Sequence, residues 1–113
     1  MLTDEMSYRF LKALNERPDI SQRGLAKQLN LSLGKTNYCM QALIDKGLVK
    51  AKNFANSSSK KSYIYFLTPH GVEEKARVTA RFLRRKVEEY EELEREIELL
   101  RSEVNLLREN TTI

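Results

Sequence analysis

The stretch that decides the fold is Ser21 to Gly47, SQRGLAKQLNLSLGKTNYCMQALIDKG, which reads as two short helices joined by a tight turn. Ser21 offers a side-chain oxygen to the free N–H groups of a helix beginning at Gln22. Ser32 does the same for a helix running to about Lys46. On the first of these helices Leu25, Ala26 and Leu29 fall at helical spacing and turn inward. On the second the inward stripe is Thr36, Met40, Leu43 and Ile44, and Gly47 stands where a left-handed residue ends a helix. Ala26 is small, as a close approach of the two helices requires. Such a pair is a helix-turn-helix. The outward face of its second helix carries Gly34, Lys35, Asn37, Tyr38 and Gln41, with no acid among them. Its two amides suit adenine edges, and its cation suits guanine or phosphate. Gly34 costs about 1 kcal/mol relative to Ala inside a helix, and near the N-terminus it permits close backbone approach to a ligand.

Working outward, Asp4 to Glu16 forms an amphipathic helix with Tyr8, Phe10, Leu11, Ala13 and Leu14. Thr3 caps it, Asp4 and Glu5 occupy its first turn, and Pro18 closes it. Ile20 sits in a short extended link. Beyond Gly47 the period changes. Leu48–Phe54 and Tyr63–Leu67 read as strands around the polar tract Ala55–Ser62, a β-hairpin with a long tip. Thr68-Pro69 gives a cap and a first helical position, and no further Pro or Gly follows Gly71. The expectation is a helix of roughly 40 residues to about Asn110. The predicted fold class is mainly α (α+β): a winged helix-turn-helix over residues 1–71, then a long C-terminal helix over 72–113, coiled-coil from about 87.

Length and composition narrow the function. A chain of 113 residues has room for one small core, or one domain with an appendage. No stretch is long and apolar enough for a membrane span, and the acidic, polar start at Met1-Leu2-Thr3-Asp4-Glu5 does not read as a signal peptide. A single cysteine, Cys39, fits a reducing cytoplasm and excludes disulfide frameworks. With His70 the one histidine, a His-based metal site or triad within one chain is excluded in practice, so neither an enzyme nor a cofactor is expected. The net charge of +4 hides a segregation: Ser21 to Lys61 holds eight basic residues (Arg23, Lys27, Lys35, Lys46, Lys50, Lys52, Lys60 and Lys61) against Asp45 alone. That excess points to a polyanion partner.

The run Leu31 to Val49, with its closing Leu43…Lys46-Gly47-Leu48-Val49, resembles the recognition helix of the MarR-type winged-helix transcriptional regulators. The later phrase Leu67-Thr68-Pro69-His70-Gly71 is also similar to that family's. The subgroup it most resembles is the EPS-associated MarR-family regulators, linked to exopolysaccharide gene clusters. The resemblance implies that Ser32, Gly34, Lys35, Asn37, Tyr38 and Gln41 lie at or near major-groove contacts. It also implies that Lys60 and Lys61, on the wing, reach the adjacent minor groove or phosphates. The wider family carries extra helices at both ends that form a dimer interface and a small-molecule pocket. This chain departs from that pattern, which argues against a small-molecule effector.

The tail carries its own pattern. Tyr90, Leu93, Ile97, Leu100, Val104 and Leu107 alternate at spacings of three and four, a heptad seam with Tyr90, Ile97 and Val104 at a and Leu at every d. β-Branched a residues with Leu at d favour a parallel two-stranded coil. In that arrangement Glu96 meets Arg101 of the second copy and Glu103 meets Arg108, while Glu89 facing Glu94 is unfavourable. Leu99 and Leu106 widen the apolar face, which leaves a four-helix assembly or another protein partner open. Arg77, Arg81, Arg84 and Arg85 form a broad basic face that either touches phosphates or is solvated and partly balanced by Glu88 and Glu89. Cys39 and His70 read as a packed and a surface residue, and the aromatics Tyr63, Tyr65 and Phe66 mostly as core.

Two functions follow. The leading one is a dimeric, sequence-specific regulator bound to an inverted repeat in double-stranded DNA, a homodimer through the parallel coil. The alternative is a winged-helix protein-interaction module that recruits a partner through the C-terminal helix. The basic excess and the outward face of the helix after Ser32 favour DNA.

Overall fold

The computed structural model describes residues 2–54 and 62–111. Helices α1 (Asp4–Glu16), α2 (Gln22–Leu29) and α3 (Leu33–Asp45) precede an antiparallel hairpin of β1 (Val49–Phe54) and β2 (Ser62–Leu67), and α4 (Pro69–Thr111) follows. The mainly helical winged fold expected from the sequence is the one observed.

Each of the first three helices begins on a hydroxyl cap. Thr3 Oγ1 accepts from Met6 N at 3.1 Å, Ser21 Oγ from Gly24 N at 3.0 Å, and Ser32 Oγ from Lys35 N at 3.1 Å. A cap of this kind stabilises by about 1 kcal/mol. Both helices of the central pair end on a left-handed residue. After α3 it is Gly47 (φ 75°), with Gly47 N donating to Ile44 O and Leu48 N to Leu43 O. After α2 it is Asn30 (φ 57°), with Asn30 N donating to Lys27 O and Leu31 N to Ala26 O. Asparagine is the ordinary substitute for glycine in this conformation. The turn of the helix-turn-helix is therefore three residues, Asn30-Leu31-Ser32, with a fixed stop at Asn30 and a fixed start at Ser32.

The core gathers Phe10, Leu11 and Leu14 of α1, Leu25 and Leu29 of α2, Met40 and Leu43 of α3, Val49 and Tyr65 of the hairpin, and Val78 of α4. One expectation shifts. Ile44 is only half-buried, whereas Cys39 is fully buried, so the inward stripe of α3 is Thr36, Cys39, Met40 and Leu43. At 3.6 residues per turn the two stripes span the same arc, so helical spacing alone does not choose between Cys39 and Ile44. The buried Thr36 hydroxyl donates to Ser32 O at 2.8 Å, so its burial leaves no polar group unpaired.

The hairpin register pairs Val49 with Leu67, Lys50 with Phe66, Ala51 with Tyr65 and Lys52 with Ile64. The period of two sends Val49 and Tyr65 inward and leaves Lys50, Lys52 and Phe66 exposed. Tyr65 N donates to Pro18 O at 2.9 Å, which fastens the hairpin to the link between α1 and α2. Tyr65 thus belongs to the core, while Phe66 does not.

The start of α4 is locked to the end of α3. Thr68 N donates to Leu48 O at 3.0 Å, Thr68 Oγ1 donates to Gly47 O at 2.6 Å and accepts from Gly71 N at 2.9 Å. Gly71 lies so close to Leu48 that a Cβ there would stand 2.0 Å from the Leu48 carbonyl oxygen. No side chain fits.

The chain divides into two compact units, Met1–Phe82 and Leu83–Ile113. In the first, Tyr8 stacks on Phe82 with ring centroids 5.2 Å apart, and Arg81 grips Asp4 through two bonds of 2.9 and 3.2 Å. The second is helix with no buried side chain among the described residues. No helix of the described residues is long and apolar enough to cross a membrane.

Candidate nucleic-acid interface

The face of α3 opposite its buried stripe is open. Gly34, Lys35, Asn37, Tyr38 and Gln41 are all exposed, as is the capping residue Ser32. Tyr38 is 57% exposed, large for an aromatic ring on a small domain. Nothing stands within 4 Å of the place a Gly34 Cβ would occupy, so the absence of a side chain there does not serve packing within the chain. The caps that hold α3 rigid also fix these side chains in space.

One feature of this face escapes a reading of residues 34–41 alone. Asp45 lies one turn beyond Gln41, also exposed, and Gln41 Nε2 donates to Asp45 Oδ1 at 3.0 Å. The face is therefore acid-free only as far as Gln41. A spacing of four was the available signal.

Asp45 apart, the exposed charge on and beside α3 is basic. Arg23, Lys27, Lys35, Lys46, Lys50 and Lys52 are all exposed. None of them meets an acidic side chain among the described residues. Lys50 and Lys52 share the outer face of β1, a placement that follows from the hairpin register rather than from composition. Lys60 and Lys61, assigned to the wing tip, lie outside the described residues.

The basic start of α4 behaves otherwise. Arg77 pairs with Glu73 and Glu74 at 3.5 and 2.9 Å, and Arg81 with Asp4 and Glu74 at 2.9 and 3.4 Å. The hydrogen bond to Asp4, against a smaller opposing effect of desolvation, raises the Arg81 pKa further above its already basic value. The acids that balance these two arginines, Asp4, Glu73 and Glu74, precede them in the chain. Farther along α4, Glu89 pairs with Lys86 at 3.1 Å. Exposed pairs of this kind stabilise by at most about 1 kcal/mol, but they leave Arg77 and Arg81 less available to a polyanion.

In the second unit Tyr90, Leu93, Ile97, Leu100, Val104 and Leu107 are exposed, together with Leu99 and Leu106 off the seam. A hydrogen bond to Glu94, reinforced by that carboxylate's charge, holds the Tyr90 phenol above its ordinary pKa. The described residues contain no group of three or more His, Cys, Asp or Glu placed to hold a metal.

Comparison with known proteins agrees with this geometry. Residues 4–50 match the family model of winged helix-turn-helix DNA-binding domains. No match is found among curated proteins. The structure is similar to a PadR-like transcriptional regulator from Bacillus cereus, with a TM-score of 0.71 and 17% identity, covering 82% of this chain and 95% of that one. It is similar to FabT of Streptococcus pneumoniae, solved in complex with DNA, with a TM-score of 0.55 and 20% identity over 74% of this chain. The chain spans little more than half of FabT, 56% of its length. A MarR-family protein of Mycobacterium tuberculosis, solved with salicylic acid, matches with a TM-score of 0.53 and 24% identity over 83% of this chain and 74% of that one. These relatives are regulators rather than enzymes. Residues 4–50 thus carry the pattern of a winged helix-turn-helix DNA-binding domain, and the chain has the fold seen in MarR-type and PadR-like regulators.

Proposed function

We propose that the protein is a homodimeric transcriptional regulator that reads an inverted repeat in double-stranded DNA. The observation that carries this reading is the exposed face of α3, polar and aromatic, ringed by six exposed cations that meet no acid among the described residues. Asn37, Tyr38 and Gln41 read base edges in the major groove. Ser32, Gly34 and Lys35 lie at or near the major-groove contacts, Lys35 combining a base and a phosphate contact, and Lys60 and Lys61 contact phosphates or the minor groove from the wing.

A single winged helix offers too small a contact for strong discrimination among genomic sites. The heptad from Tyr90 to Leu107 supplies a second copy through a parallel coil, with Glu96–Arg101 and Glu103–Arg108 as the matching flank pairs. Supporting the pairing is the exposure of all six seam residues, 39–64%, in the single chain. Two modules related by a two-fold axis read half-sites about one helical turn, roughly 34–36 Å, apart. The EPS-associated resemblance makes exopolysaccharide genes the proposed targets and the cytoplasm the proposed compartment.

Selection of bound sequences from random duplex DNA tests the proposal. An enriched inverted repeat with half-sites about 10 base pairs apart is the expected result. Binding without any enriched sequence would refute specific readout and favour a protein-interaction module.

A further inference from the structure

Gly34, Tyr38, Gln41 and Asp45 recur at spacings of four, three and four, so they share the centre of the exposed face of α3. Among them Gln41 and Asp45 are joined, Nε2 to Oδ1, at 3.0 Å. A glutamine amide is two-faced: its oxygen accepts and its nitrogen donates twice, so a free glutamine turns either way to suit a base. The carboxylate of Asp45 accepts only. A reversed amide would set carbonyl oxygen against carboxylate oxygen, two acceptors with no proton between them. Asp45 therefore removes one of the two orientations.

From this we infer that Asp45 is a specificity-determining residue, positioning Gln41 so that the pair recognises the exocyclic amino group of a base in the major groove. The inference rests on the DNA reading proposed above. With one N–H committed to Asp45, the amide turns its Oε1 and its second N–H outward. The remaining lone pairs of Asp45 add acceptors beside them. Such an edge fits a donor. Adenine offers its N6 amino group to Oε1 and its N7 to the second N–H, and cytosine offers its N4 amino group. Guanine and thymine place a keto oxygen at the corresponding position, acceptor against acceptor. A lone glutamine could serve that oxygen by turning its nitrogen toward it. The pair offers it only the one remaining N–H, set beside Oε1 and the Asp45 oxygens that face a keto oxygen with no proton between, so the carboxylate biases an adaptable contact toward bases that donate. Rejecting the wrong base by an unmatched polar group discriminates more strongly than merely favouring the right one.

The test measures binding of the full-length chain to its selected site, with all four base pairs placed in turn at each half-site position. The wild type should show one position per half-site where adenine, then cytosine, on the contacted strand is preferred over guanine and thymine by about tenfold. Asp45→Ala should reduce that preference to about twofold or less, chiefly by improved binding of the keto bases, while preferences elsewhere in the half-site stay. Asp45→Asn, which is nearly isosteric and both donates and accepts, should relax it in the same way. Gln41→Ala should abolish it. Asp45 is exposed, so neither substitution removes core packing. If Asp45→Ala and Asp45→Asn both keep the wild-type base preference at every position, the positioning role is overturned while DNA reading stands. If the wild type shows no base preference at any position, DNA reading fails and the role of Asp45 falls with it.

Discussion

Replacing Gly71 by alanine adds one methyl group to a 113-residue chain, yet it should be among the most destabilising single changes available. The added Cβ would stand 2.0 Å from Leu48 O and 2.9 Å from Leu48 C. A carbon seldom approaches an oxygen closer than about 3.3 Å, so the backbones must part by more than about 1 Å. No rotamer change relieves this, because the obstacle is main chain. Leu48 is itself pinned by its bond to Leu43 O and by the Thr68 amide on its carbonyl, and its neighbour Gly47 receives the Thr68 hydroxyl. Overpacking of this kind costs about 1–3 kcal/mol, and each strained hydrogen bond at the joint adds about 1 kcal/mol. Alanine's better helix propensity returns about 1 kcal/mol. The net is about 3 kcal/mol. For a domain of this size each kcal/mol moves the melting temperature by about 4–8 °C, so Gly71→Ala should melt ~12–24 °C lower. Calorimetry at fixed protein concentration reads this directly, since oligomerisation also shifts the transition. Gly34→Ala is the matched control. Its Cβ meets nothing within 4 Å, so the same substitution should be neutral or stabilising by up to about 1 kcal/mol. A Gly71→Ala protein that melts within about 3 °C of wild type would refute the account of the α3–α4 joint.

Other outcomes concern DNA. Gly34→Ala should weaken DNA binding although it leaves the fold intact, if the backbone there approaches the duplex; unchanged affinity in a filter-binding assay would remove Gly34 from the interface. Asn37→Ala should cost about 1–3 kcal/mol on the preferred site and relax the choice of base it contacts, whereas an equal loss on all sequences would reassign it to the phosphates. Exchanging Lys60 and Lys61 together for alanine should lower specific and nonspecific affinity alike, and flatten log K against log salt by about 0.9 for each phosphate no longer neutralised. Ending the chain near Val87 should leave a folded, mainly monomeric domain that binds the inverted repeat at least about tenfold more weakly, since linkage adds effective concentration without enlarging the DNA interface. Sedimentation of that fragment as a full dimer would move the dimer interface into the winged helix.

Much of the architecture was determined by the sequence alone, because its signals are local. Thr3, Ser21 and Ser32 cap helices through hydroxyls that reach only three residues onward, and all three bonds are present. Pro18 and Pro69 punctuate the chain by fixing backbone angles and Gly47 by permitting a left-handed one, which no distant contact needs to endorse. The exposed face of α3 followed for the same reason, as the complement of a helical stripe.

What only the tertiary structure decided depends on groups far apart in the chain. Ile44 and Cys39 are both apolar and both near the stripe, and only the packing of the assembled core chose Cys39 for full burial. Arg81 reads as free cation until Asp4, 77 residues away, is seen beside it. Gly71 looks like one more residue in a helix start until the Leu48 carbonyl is found where its side chain would be. Tyr65 and Phe66 are neighbours of equal apolar appeal, and the register of β2 against β1 sends one inward and the other out. In each case the sequence supplies a residue able to take two roles. The choice between them is made by steric exclusion or charge pairing with a partner that chain connectivity does not bring near.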